Sequence, residues 1–437
     1  MRYDAVVIGG GPTGSTTALA LARKGFRVVV VEKAQHPRFH IGESFLPRNL
    51  TLMEELGLVD RLKRIPHLEK HGAEFCFGND PSPRQFRFDD GFKVGSSSAW
   101  NIERAPYDKM LLDAARDAGA EVVEGVTVKG IARLAERDAA VVLDDGRTLE
   151  ADFLLDASGQ STIVGKHLGT RRVLPHLRKV AYFGHFKRVY RHAGDAAGYP
   201  TVVMCREGWF WMIPIDAERT SIGLVMDAEA AKKVAVAPNK MLSWGISRCP
   251  ILRERCKEAE FPESNGVTAD FSYRCEPYAG PGYFLVGDAA TFVDPIFSTG
   301  VCLGMMSGVK VAEGIEAIVR EGRDAGRVRR EYERYVKQSS SVFFRLVDAY
   351  YEHPFRELFL HGRGPFQIQR AVISTLGGHV FPRPVFRLRW RLELFHLFVK
   401  IQKRFALVPR RTTWSLLEPA SREAGSMVEP KPMAATV

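Results

Sequence analysis

The stretch YDAVVIGGGPTGSTTALALARKGFRVVVVEK, residues 3–33, limits the possible folds more than any other part of the chain. Ala5–Ile8 read as a buried strand, and the alanine-rich run to Lys24 reads as a helix stopped by Gly25. Val28–Glu32 then read as a strand covered on both faces, as in a parallel sheet. Between the first strand and the helix, Gly9, Gly11 and Gly14 stand in G-x-G-x-x-G spacing. The first permits a tight turn, the second lets backbone approach a diphosphate, and the third lets helix pack closely on strand. The helix N-terminus supplies amides and positive potential, and Glu32 stands where a carboxylate accepts hydrogen bonds from a ribose. A dinucleotide-binding βαβ unit is therefore expected at the N-terminus.

With 437 residues, 45% of them apolar, the chain can fill two or three domains. Its start, MRYDAVVIGGG, has no leader pattern, and no apolar run approaches the roughly 18 residues of a membrane span, so a cytoplasmic protein is expected. The six cysteines form no CxxC pair and have no histidine at metal-binding spacing, which favours free thiols and no metal. The net charge of +11 is concentrated between Arg383 and Arg411, where nine basic residues face the single acid Glu393. Trp390, Phe395 and Phe398 are interleaved with them. Such a segment either meets a membrane or an acidic partner, or is the solvated face of a packed helix. Peripheral membrane contact stays open, and no nucleic-acid partner is expected. AAVVLDDGRTLEADFLLDASG reads as a hairpin turning at Asp145-Gly146.

Two later segments, LLDASGQST (154–162) and GYFLVGDAATFVDPIFSTGVCLG (282–304), resemble motifs of the glutathione-reductase-like flavoproteins. The resemblance implies an α/β fold of glutathione-reductase-like, FAD-binding type, with an interleaved substrate-facing β-sheet domain and a mainly helical C-terminal region. It implies FAD as cofactor, held by Gly9, Gly11, Thr13, Gly14 and Glu32, with Arg104 near the diphosphate and Asp288 on the flavin side chain. Gly300 and Val301 would open a helix aimed at the isoalloxazine ring. The expected division is an FAD-binding fold over 1–345, with FAD segments at about 1–75, 100–175 and 270–345 and the sheet at about 76–99 and 176–269. A helical, basic region over 346–415 and a disordered tail over 416–437 complete it.

WFWMIP, residues 209–214, fits the W-x-W-x-I-P signature of the flavin-dependent halogenases, and the resemblance covers roughly residues 1–345. In a strand the two indoles share a face. The resemblance implies that Trp209 and Trp211 stand between flavin and organic substrate, so that a halide, not the substrate, meets the flavin C4a-hydroperoxide. It places chloride or bromide on the backbone amides of Thr299 and Gly300, and O2 is the co-substrate. In LEKHGAEFCFG it makes Lys70 the residue that passes hypohalous acid on, with His71 as its neighbour. Phe297 stands where the enzymes acting on free tryptophan have Glu, which points to a phenol or pyrrole, free or tethered to an acyl or peptidyl carrier protein. No second G-x-G-x-x-G appears, and the halogenase resemblance implies a separate NAD(P)H-dependent flavin reductase as partner. The competing readings are a membrane-associated isoprenoid-lipid reductase, an FAD-dependent aromatic hydroxylase and a flavin-binding module without turnover.

Overall fold

The computed structural model describes residues 2–418 except 81, 82, 93–95, 263, 264, 270, 363 and 380–383. Its first sheet carries five parallel strands in the order Tyr283–Leu285, Thr148–Asp156, Arg2–Ile8, Val28–Glu32 and Glu121–Glu124. The valines of Val28–Val31 are buried on both faces, which accounts for their unbroken apolar run. Asp138–Leu143 pairs antiparallel with Thr148–Asp156 across a turn in which Gly146 has φ +88°. Helix Pro12–Arg23 packs against helices Arg104–Asp117 and Gly300–Val319. Its approach to Gly300–Val319 depends on bare backbone: a Cβ on Gly304 would lie 2.1 Å from Thr13 Oγ1, and one on Gly308 2.4 Å from Thr17 Oγ1.

A second sheet of seven strands runs Gly266–Ala269, Lys179–Lys187, Arg219–Asp227, Gly208–Pro214, Thr201–Met204, Gly72–Phe77, Arg84–Arg87. Side chains alternate across it. Trp209 and Trp211 share one face with Phe75, Phe183 and Val202, whereas Phe210 and Met212 join Cys76 and Leu224 on the other. The sheet begins at Gly72 rather than near residue 76, because Gly72–Phe77 pairs in parallel with Thr201–Met204. Just before it, His67–Lys70 pairs with Ala99–Ile102 in a separate two-stranded ladder.

Helices Ala325–Tyr350, His353–His361, Ile368–Leu376 and Phe386–Arg404 form the C-terminal region. The last of these buries Leu388, Leu392, Phe395 and Val399 and exposes Arg387, Arg389, Lys400, Lys403 and Arg404, so its apolar stripe is core and its basic stripe is solvated. Arg383 lies outside the described residues. Leu416, placed in the expected disordered tail, is packed instead. Ser415 and Leu416 are buried, the Ser415 hydroxyl and the Leu416 N–H donate to Glu207, and Trp414 covers Gly78, where a Cβ would fall 2.2 Å from its ring. Residues 419–437 of that tail lie outside the described residues. Among the described residues, no helix is long and apolar enough to cross a membrane, no acid, histidine or cysteine cluster suits a metal, and the six cysteines are buried and unpaired.

Candidate active site

Two cavities adjoin at the ends of the parallel strands. The larger, about 520 Å³, runs along the glycine turn and is lined by Gly9, Gly11, Thr13, Glu32, Arg38, Arg104, Ser158, Asp288, Gly300 and Val301 among others. Gly9 has φ +104° and a Cβ there would lie 2.5 Å from Ala157 O; one on Gly14 would lie 1.9 Å from Gly9 O. Both positions therefore exclude any side chain, whereas Gly11 faces open space next to Arg38. Glu32 Oε2 accepts the Gly10 N–H at 2.6 Å and Oε1 the Ala34 N–H at 2.9 Å, so this carboxylate also holds the turn in shape. Arg104 is clamped: Nε and Nη2 reach Asp108 at 2.8 and 3.0 Å, and Nη1 donates to Ile41 O at 2.7 Å. Thr13 lines the cavity and packs under Gly287 and Gly304. A groove walled by backbone at the glycine turn and carrying two arginines suits an extended dinucleotide diphosphate.

The second cavity, about 200 Å³, shares Arg104, Asp288, Gly300 and Val301 with the first. Its other walls are mostly apolar: Phe75, Phe86, Phe88, Trp209, Trp211 and Phe297, with Lys70 among them. Lys70 is 4% exposed and sits at the last position of its ladder. Its Nζ donates to Ser44 Oγ and to Phe45 O, each at 2.9 Å. Burial lowers its pKa to about 7, and among the described residues no carboxylate pairs with it. A neutral amine has two N–H donors and one lone pair, so those two acceptors leave the lone pair free. His71 instead turns to Glu69, at 3.3 Å.

The two indole rings lie 5.8 Å apart between centroids. Trp211 Nε1 donates to Ser221 Oγ at 3.1 Å, and its ring covers Gly223, where a Cβ would lie 2.2 Å away. Phe297 is buried edge-on against Tyr350. After it, Ser298 takes a left-handed φ of 56° and Thr299 precedes the helix Gly300–Val319 without capping it through its side chain. The first-turn amides at this helix start have no intrahelical acceptor. Asp288, shared by both cavities, is pushed up to about 6 by burial, with Arg104 opposing.

A family profile described as "FAD binding domain" matches residues 2–347. A flavin-dependent halogenase of Armillaria mellea is 32% identical over 346 residues, covering 73% of this chain and 68% of that one. The chain belongs to the flavin-dependent halogenases. The 1H-pyrrole-2-carbonyl-[peptidyl-carrier protein] brominase of Pseudoalteromonas luteoviolacea is 29% identical and covers 87% of this chain and 92% of its own length. The solved flavin-dependent brominase Bmp2 superposes with a TM-score of 0.81 at 27% identity, over 92% of this halogenase and all of that chain. The myxobacterial chondrochloren halogenase gives 0.74 at 30%, over 91% and 97%.

In this halogenase, then, the residues singled out from sequence, except Gly14, which packs behind Gly9, and His71, line two joined cavities, with Arg104, Asp288, Gly300 and Val301 at the junction. Sequence reasoning passed over the loop 38–44. Arg38 lies beside Gly11 and 3.5 Å from Asp108, and His40, Ile41, Gly42, Glu43 and Ser44 line the second cavity. The available signal was Gly42: its φ is +100° and a Cβ would meet Arg104 Nη1 at 2.9 Å. Glu43, buried in the same loop, binds His185 Nε2 at 2.8 Å.

Proposed function

We propose that this halogenase acts on an electron-rich aromatic ring, a phenol or a pyrrole, through the amine of Lys70. The observation that carries the reading is a buried lysine without a carboxylate partner among the described residues, in an apolar cavity that opens onto the flavin cavity. FAD, when bound in its reduced form, supplies the two electrons with which dioxygen oxidises a halide to hypohalous acid. The chain's own residues do the rest. The amides of Thr299 and Gly300 hold chloride or bromide at the junction of the cavities, since N–H groups at a helix start suit an anion without a countercharge. Trp209 and Trp211 fill the space through which an aromatic ring would approach the flavin.

Lys70 as a neutral amine then takes the halogen, R–NH2 + HOX giving R–NHX + H2O. It delivers it by electrophilic substitution, ArH + R–NHX giving ArX + R–NH2. Burial favours both steps, because it lowers the lysine pKa to about 7, so that a share of the amine is unprotonated at neutral pH, and it keeps water from the N–X bond. Phe297 stands where a carboxylate would be needed to stabilise an indole cation, which supports a phenol or pyrrole over free tryptophan. The relative that acts on a carrier-bound pyrrole supports a tethered acyl substrate. The basic stripe on Phe386–Arg404 would then meet an acidic acyl or peptidyl carrier. A separate NAD(P)H-dependent flavin reductase delivers the reduced cofactor. The test is incubation with such a reductase, FAD, NADH and bromide over phenols and pyrroles, free and carrier-bound, read by mass spectrometry. A mass gain with the bromine isotope pattern supports the reading, and hydroxylated or reduced products overturn it.

A further inference from the structure

We propose that Tyr351 is a positioning residue that locks the tryptophan wall to the loop carrying the Thr299 and Gly300 amides, an inference that rests on the halogenase reading of that loop. Tyr351 follows the helix Ala325–Tyr350 and is remote in sequence from both parts it joins. Trp209 Nε1 donates to its hydroxyl at 3.1 Å, and the hydroxyl donates to Asp294 Oδ2 at 2.7 Å. Asp294 Oδ1 accepts the Ile296 N–H at 3.0 Å, inside the loop itself. Trp209 and Asp294 are each 2% exposed, so neither can turn to water. An indole N–H only donates and a carboxylate only accepts; a hydroxyl between them does both at once.

The consequence is geometric. The chain turns from Phe297 into the helix through the left-handed Ser298, so the direction of the Thr299 and Gly300 amides follows from where Asp294 anchors the loop. Lys179 Nζ lies 4.1 Å over the Tyr351 ring and is itself paired with Asp227 at 3.2 Å, which fixes the ring plane. The neighbouring Tyr350 supplies the control. It is fully buried, and among the described residues its hydroxyl has no partner.

Tyr351→Phe keeps the ring and removes both bonds, and Tyr350→Phe is compared with it in the full chain. By hydrogen exchange, the amides of residues 296–301 should exchange about ten-fold faster in Tyr351→Phe, while strand Arg2–Ile8 keeps its protection. In turnover the KM for bromide should rise about five- to ten-fold, with kcat at saturating bromide within about two-fold of wild type. A larger share of flavin oxidation should end as peroxide. Tyr350→Phe should change neither exchange at 296–301 nor the bromide KM. Unchanged exchange and unchanged KM in Tyr351→Phe overturn the lock, as does a general loss of protection with a fall in kcat alone. If wild-type protein forms no halogenated product, the halogenase reading fails, and the exchange experiment still decides the lock.

Discussion

Along the flavin-side cavity the wall nearest the first strand is backbone: Gly9 and Gly14 leave no room for side chains, and Glu32 binds amides to keep the turn in place. Across Arg104 and Asp288, the second cavity is walled by side chains drawn from widely separated segments, including Lys70, Phe86, Trp209, Trp211, Phe297 and Leu376. On the proposed reading the first would hold a constant cofactor largely through backbone, beside Glu32, Arg38 and Arg104. The second holds chemistry that depends on which side chains meet. Substitutions should therefore act differently in the two regions.

The largest effect is expected on the backbone side. Gly14→Ala forces a methyl onto Gly9 O and should cost about 3 kcal/mol or more, with loss of FAD retention measured by flavin absorbance after gel filtration. If the variant keeps FAD and melts like wild type, the backbone account of that cavity is wrong. On the side-chain side, Gly223→Ala drives a methyl into the Trp211 ring. It should cost about 1–3 kcal/mol while FAD is retained, and oxygenated substrate should appear beside halogenated product. Retained FAD with unchanged products would separate Trp211 from the barrier role.

A pH-dependent effect follows from Lys70. Its pKa is lowered from the usual 10.5 to about 7 by burial, so between those values the unfolded chain binds more protons than the folded one. The wild type should therefore gain stability relative to Lys70→Met as pH rises from about 7 towards 10.5, by up to about 1.4 kcal/mol per pH unit, and the penalty should be fully present below pH 7. Urea unfolding of both proteins at pH 6.5, 8 and 9.5 checks the slope, and parallel curves would mean that the lysine is not desolvated. The smallest effect lies remote from both cavities. Ser415→Ala removes a donor to Glu207 and should cost about 1 kcal/mol in the melt with no change in bromide KM.

What sequence made legible follows the same division. The glycine turn could be read because the positive φ of Gly9 and the approach of Gly14 to Gly9 O arise within one βαβ unit, and the shared face of Trp209 and Trp211 because a strand has period two. The junction loop around Gly42 was missed because its need for glycine comes from Arg104, sixty-two residues on. Asp294 looks like an ordinary turn cap, which it also is; only the fold brings Tyr351 to its second oxygen. The Pro-, Ala- and Ser-rich C-terminus hid the docking of Trp414 and Leu416, since the complementary surface at Gly78 and Glu207 belongs to the far side of the second sheet.

The central claim is that a halogen reaches the substrate through the buried amine of Lys70. The most direct measurement compares wild type and Lys70→Ala with reduced FAD, dioxygen and bromide on one accepted substrate, counting brominated product and peroxide for each flavin oxidised. Flavin oxidation should continue in the variant at the wild-type rate, with peroxide accounting for the flavin consumed and brominated product falling by about a thousand-fold or more. Brominated product at the wild-type yield would contradict the account.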